Sequence, residues 1–214
     1  MNTTELLKFF RAKYPTVQEL NNIPLELFRY NRIQYEGGIS VDPNDPGNTG
    51  GYNMTNMGLT SVTFLENAAA MGWEKTPERF KSLTIKDIDD FTKYLWKERK
   101  VDELPKWSDQ IAYANLIWAS GDQGAMTLYG VGSLEKVREG IRKDGWQKYL
   151  ERHTAYNRGT GYSLGLSRGW GTNDQEFGEA KYNDSIWRMC EIADDKQKKS
   201  TGYMQPWWLG WQLP

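Results

Sequence analysis

The chain has 214 residues, with 27 Lys and Arg against 28 Asp and Glu, and 14% of its residues are aromatic. That length holds one large domain, or a domain and an appendage, and buries a core without staples. Balanced charge argues against a general nucleic-acid binder and aromatic content against a disordered chain, while a single cysteine (Cys190) and a single histidine (His153) argue against disulfides and a Cys/His zinc centre.

The opening residues, Met1-Asn2-Thr3-Thr4-Glu5, lack a basic leader, and Lys8 interrupts Leu6, Leu7, Phe9 and Phe10. No signal peptide is expected there, and no run reaches the roughly 18 apolar residues of a membrane helix. Leu20, Ile23, Leu27, Tyr30 and Ile33 recur in steps of three and four, which predicts an amphipathic helix over 23–35. Pro24 suits its first turn and Gly37-Gly38 its end. Gly, Asn, Asp and Pro dominate 37–59, so turns and a small β-hairpin within 39–60 are expected. Helix resumes after Thr60, and Thr84-x-x-Asp87 reads as a capping box ahead of a face made by Ile88, Phe91 and Leu95.

Ser108 is the expected cap of a helix carrying Ile111, Ala114 and Trp118. Asp144-x-x-Gln147 is the expected start of another carrying Trp146, Tyr149, Leu150 and Tyr156. Gly159 to Gly171 forms a glycine-rich loop, and 157–173 is the best candidate boundary. Glu176 to about Lys199 reads as a last helix, with Phe177, Ala180, Ile186, Trp187 and Cys190 on its apolar stripe and Asp194 to Lys199 as its solvated end. The expected architecture is a mainly α domain over 1–156 and an extension over 157–214 that is helical and Trp-rich.

Chemistry concentrates in Glu36-Gly37-Gly38, Asp42 to Gly47, and Thr55 to Thr60. A carboxyl at the end of an apolar helix is partly desolvated and meets the negative pole of the helix. Both effects raise the pKa of Glu36 and suit it to donate a proton. Asp45, in a polar turn-rich loop, stays ionised. One neutral and one ionised carboxyl across a cleft is the arrangement that glycosidic cleavage uses. Read alone, the same residues also fit a surface helix end followed by turn formers.

The order E-G-G, D-P-x-D-P-G and T-N-x-G-[IL]-T resembles the N-terminal motif set of the phage and bacterial N-acetylmuramidases of glycoside hydrolase family 108. Leu104-Pro105, followed by Asn115, Ser120, Gly121, Ala125 and Leu128, is similar to that family's second block. The resemblance covers roughly 23–130. It implies a lysozyme-like fold and hydrolysis of the β-1,4 bond between N-acetylmuramic acid and N-acetylglucosamine. Glu36 inherits the role of catalytic acid. The nine-residue step to Asp45 resembles the acid and second carboxylate of phage lysozymes, and Thr55 is the third candidate catalytic residue. Gly37, Gly38, Asp42, Asn56 and Thr60 are candidates for contacting substrate or shaping the hairpin. Neither a metal nor a cofactor is implied. Asn48 to Met54 depart from the family pattern as an insertion beside the acid, and Tyr129 stands where the family has Gln.

His153 and Cys190 read as core or surface residues; the cysteine amidases that cut wall peptides place Cys before His, the reverse of the order here. Trp73, Trp96, Trp107, Trp118 and Trp146 read as core. Trp207, Trp208 and Trp211 are open to three roles: packing on the domain, glycan binding, and contact with a phage-particle partner or a second copy. The expected partner is the glycan strand of peptidoglycan, with no nucleic acid and no membrane insertion. The expected setting is synthesis in the cytoplasm and action at the bacterial wall, as a phage lysin or a virion-borne enzyme. A catalytically silent muramidase fold, used for glycan binding or as a phage-particle structural module, is the alternative.

Overall fold

Residues 22–35, 38–43, 46–151 and 186–198 are described by the computed structural model. The chain enters through helix α1 (Ile23–Tyr35), whose first turn is closed by the Asn22 side chain accepting from the Leu25 N–H at 3.1 Å. Three two-residue strands follow, β1 (Ile39–Ser40), β2 (Thr55–Asn56) and β3 (Leu59–Thr60), with a 3-10 turn over Pro46–Asn48. They form an antiparallel sheet in the order β1-β2-β3, pairing Ile39 with Asn56, Ser40 with Thr55, Thr55 with Thr60 and Asn56 with Leu59. The turn between β2 and β3 places Met57 at φ 48° and Gly58 at φ 76°, the two left-handed positions of a tight hairpin. The hairpin expected within 39–60 is therefore there, with β1 added as a third strand.

Helices make up the rest. They are α2 (Ser61–Met71), α3 (Pro77–Lys81), α4 (Ile85–Glu98), α5 (Trp107–Tyr129), α6 (Leu134–Asp144), α7 (146–151) and α8 (186–198). Their starts follow local chemistry. Thr60, Thr76 and Ser133 each accept from a backbone N–H three residues on, Pro77 occupies the first position of α3, and Thr84 with Asp87 closes a full capping box. The result is the mainly helical, lysozyme-like architecture expected from the sequence. Among the described residues no helix is long and apolar enough to cross a membrane.

Two buried clusters hold it together. One joins α1, α5, α6, α7 and α8 through Leu27, Phe28, Ile111, Leu116, Ile141, Tyr149 and Cys190. The other sits under the sheet and gathers Leu59, Phe64, Phe80, Leu83, Ile88 and Phe91. Trp118 packs against both, 6.3 Å from the Phe28 ring and 6.2 Å from the Phe91 ring between centroids. Trp73, Trp96, Trp107 and Trp146 also lie in or against these clusters, as expected.

Several boundaries differ from expectation. Ser108 does not cap α5; the helix begins at Trp107 after Lys106, which gives no side-chain cap, and Ser108 lies buried in the first turn. Asp144 is the last residue of α6 rather than the start of the next helix, and Gly145 separates α6 from α7. Trp187 is 39% exposed rather than part of the buried stripe of α8. The segment from Asp194 is not simply solvated: Asp194 accepts from Trp146 Nε1 at 3.0 Å, and Lys196 is buried. Tyr156, the 157–173 loop, Phe177, Ala180, His153, Lys199 and the Trp207, Trp208 and Trp211 tail lie outside the described residues.

Helix α5 breaks at Gly121, where φ 65° and ψ 178° fall in a region that only glycine occupies freely. Arg99 steadies the far side of the break through Asp122 at 2.9 Å. An added Cβ at Gly121 meets nothing within 4 Å, so substitution there tests backbone strain alone. Gly121→Ala is expected to destabilise the fold by about 1–3 kcal/mol in urea unfolding.

Candidate active site

The site is best built from α1, because the sequence attaches Glu36 directly to that helix. Arg29 on α1 is 5% exposed and forms a two-pronged ion pair with Asp89 of α4, while also binding Glu26 one turn back. Arg32, one turn further along and 1% exposed, lies over the Phe28 ring at 5.0 Å and the Trp118 ring at 5.6 Å and donates to the Asn31 side chain. Two buried guanidiniums thus fix the last turns of α1 against α4 and α5.

Glu36, Gly37 and Asp45 themselves lie outside the described residues. What is described is the frame on either side of them. Gly38 is exposed, and an added Cβ there meets nothing within 4 Å. The loop that contains Asp45 is tied at its base by Asn48, whose Nδ2 donates to the Asp42 carbonyl at 2.8 Å and the Ser40 hydroxyl at 3.2 Å. Asn48 is 3% exposed, and its two clasp bonds are partly buried. Asp42 contributes its carbonyl oxygen to it.

The insertion from Asn48 to Met54 is a folded turn on the first turn of α2. The Asn53 N–H donates to the Gly50 carbonyl at 2.9 Å, and the Asn53 side chain accepts from the Gly50 N–H at 3.1 Å. The Tyr52 N–H donates to the Ser61 hydroxyl at 3.0 Å, and the Tyr52 ring lies 6.1 Å from Phe80 and 6.4 Å from Phe64. Gly51 is required: a Cβ there would stand 2.9 Å from Ser61 Oγ, at φ 56°.

The remaining candidates divide between scaffold and open chemistry. Asn56 is 2% exposed and donates to the Phe80 carbonyl at 2.8 Å, which pins β2 to α3. Thr60 caps α2, accepting from the Thr63 N–H at 3.1 Å. The Thr55 hydroxyl is buried without a hydrogen-bond partner among the described residues, so its donor and acceptor capacity is unused. The sequence signalled Glu36 and the loop but not the anchors. Glu26 and Arg29 at i and i+3 were a visible pair, whereas Asp89 sits 60 residues from Arg29 and no local pattern links them. No group of three or more His, Cys, Asp or Glu among the described residues could hold a metal ion.

The described residues form a mainly helical, lysozyme-like fold with a small antiparallel sheet. Residues 31–121 match the family model described as Glycosyl hydrolase 108, a span running from α1 through the sheet, α2, α3 and α4 to the break in α5. That span is what the chain shares with glycoside hydrolase family 108. Neither a curated protein nor a solved structure matches the chain.

Proposed function

We propose that the protein is an N-acetylmuramidase that cleaves the β-1,4 bond between N-acetylmuramic acid and N-acetylglucosamine in peptidoglycan. The observation that carries this reading is the family match over 31–121, which contains Glu36-Gly37-Gly38 and the acidic loop in one block. In this reading Glu36 protonates the leaving glycosidic oxygen. Asp45 stabilises the oxocarbenium-like transition state or holds the attacking water, and the unused Thr55 hydroxyl orients that water. The Asn48 clasp ties Asp42 and Ser40 of β1 together at the base of the acidic loop. Anchoring of α1 by Arg29 and Arg32 supports preorganisation of the acid, which lowers the barrier only if the acid is already in place when substrate arrives. The proposed place of action is the bacterial wall, as a phage lysin or a virion-borne enzyme.

Release of new reducing ends from purified peptidoglycan tests the proposal. A steady rise with enzyme concentration is the expected result. No release from several wall chemotypes would overturn it and turn attention to the silent module, whose signature is glycan or partner binding without turnover.

A further inference from the structure

A buried carboxylate that the glycosidase reading does not use lies at the opposite end of α5. Asp109 is 0% exposed, and neither of its oxygens has a hydrogen-bond partner among the described residues. It occupies the first turn of α5, at the seam where α7 and α8 meet that helix. Hydrogen bonds between described residues dock helix α8 on this seam. Cys190 donates its thiol to the Ser108 carbonyl at 3.5 Å, and Asp194 accepts from Trp146 Nε1 at 3.0 Å. Gln197 accepts from the Trp107 N–H at 2.9 Å and donates to the Pro105 carbonyl at 2.7 Å. Ile186, Met189, Cys190 and Ala193 supply the apolar part of the same seam.

The charged and titratable groups that act on Asp109 come from each side of it. Lys106, on the turn leading into α5, attracts it but is exposed to water, which screens the attraction. Helix α7 turns the Trp146 backbone N–H toward it without reaching hydrogen-bond geometry. Helix α8 brings the Asp194 carboxylate, a like charge, and the Cys190 thiol. Burial holds that thiol well above the usual thiol range, so it contributes no charge at neutral pH. Ionised Asp109 therefore meets a dry site, a repelling neighbour and one screened cation.

We propose that Asp109 is a pH-sensitive latch, whose protonated form holds α8 on the start of α5 and whose ionised form favours release of α8. Burial, opposed by Lys106 and the Trp146 N–H and reinforced by Asp194, raises its pKa from 3.8 to about 6. The docked state thus binds more protons than a released state in which water reaches Asp109. Docking is strongest at acid pH, weakens as pH rises through the interval from 3.8 to about 6, and then levels. Between pH 5 and pH 7 the opening equilibrium grows by about tenfold. The device is independent of the glycosidase reading, because it rests on the far end of α5 and on α8.

Hydrogen exchange of the α8 amides in the full chain, corrected for intrinsic rates, reads the latch directly. Protection of α8 is expected to fall about tenfold from pH 5 to pH 7. The α4 amides, which do not touch the seam, serve as the internal reference. Asp109→Asn, which keeps the shape of the protonated acid, is expected to hold α8 protected at both pH values. Equal protection in the wild type at pH 5 and pH 7, or a fall that persists in Asp109→Asn, would overturn the proposal. Should Asp109→Asn not fold, Asp194→Asn supplies the second test. It keeps an acceptor for Trp146 and removes the repelling charge, so the midpoint of the fall must move to lower pH; an unmoved midpoint contradicts the latch.

Discussion

Glu36→Gln is expected to lower the rate of reducing-end release from peptidoglycan by about 10²–10⁴-fold, the range a positioned general acid supplies. Gln has the size and hydrogen-bonding reach of Glu but no transferable proton, so the leaving oxygen must depart unprotonated. Folding is expected to be unharmed. The residue follows the C-terminal end of α1, where loss of a negative charge is neutral to slightly favourable for the helix dipole. An unchanged thermal midpoint together with lost turnover assigns the loss to chemistry. Turnover that survives the substitution would remove Glu36 from the role of acid and send the search to the clasped loop between Asp42 and Asn48.

The second large effect lies in the anchor of the same helix. Arg29→Met is expected to destabilise the fold by about 3–5 kcal/mol, the loss typical when one member of a buried ion pair is removed. Glu26 and Asp89 would both lose the guanidinium they share while remaining 6% and 8% exposed. Lys93, 3.4 Å from Asp89 and 45% exposed in its side chain, replaces only part of that charge. The effect is large against a total stability of about 5–15 kcal/mol. The double variant Arg29→Met with Asp89→Leu is expected to recover part of the loss, because it removes the Asp89 charge while Glu26 still loses Arg29. Urea denaturation of the three proteins checks this, and a single variant within about 1 kcal/mol of the wild type would show that the network is not the anchor.

Much of this arrangement is legible from residue order, and the failures have physical causes. Periodicity located α1, because Ile23 and Leu27 lie on its inward face. The Thr84 to Asp87 capping box was readable because both of its bonds are local. Strand β1 was harder: two residues give too little alternation to separate a third strand from a turn. Ser108 looked like a cap because serine is a good one, yet tertiary packing under α8 buried it inside the first turn. Helix α6 escaped notice although Ser133 caps it, since Val137 and Ile141 are its only fully buried apolar residues. At the candidate site, the motifs pointed to Glu36 and its loop. The partners that hold α1, Asp89 and Trp118, lie far along the chain and carry no local signature. Asp109 was equally silent, because an aspartate in the first turn of a helix ordinarily faces water.

The bond specificity is the central claim, and the identity of the new reducing end tests it most directly. Purified peptidoglycan digested by the enzyme, reduced with borohydride and analysed by mass spectrometry is expected to yield muropeptides ending in reduced N-acetylmuramic acid. Fragments ending in reduced N-acetylglucosamine, or cleavage confined to the peptide stems, would contradict the account.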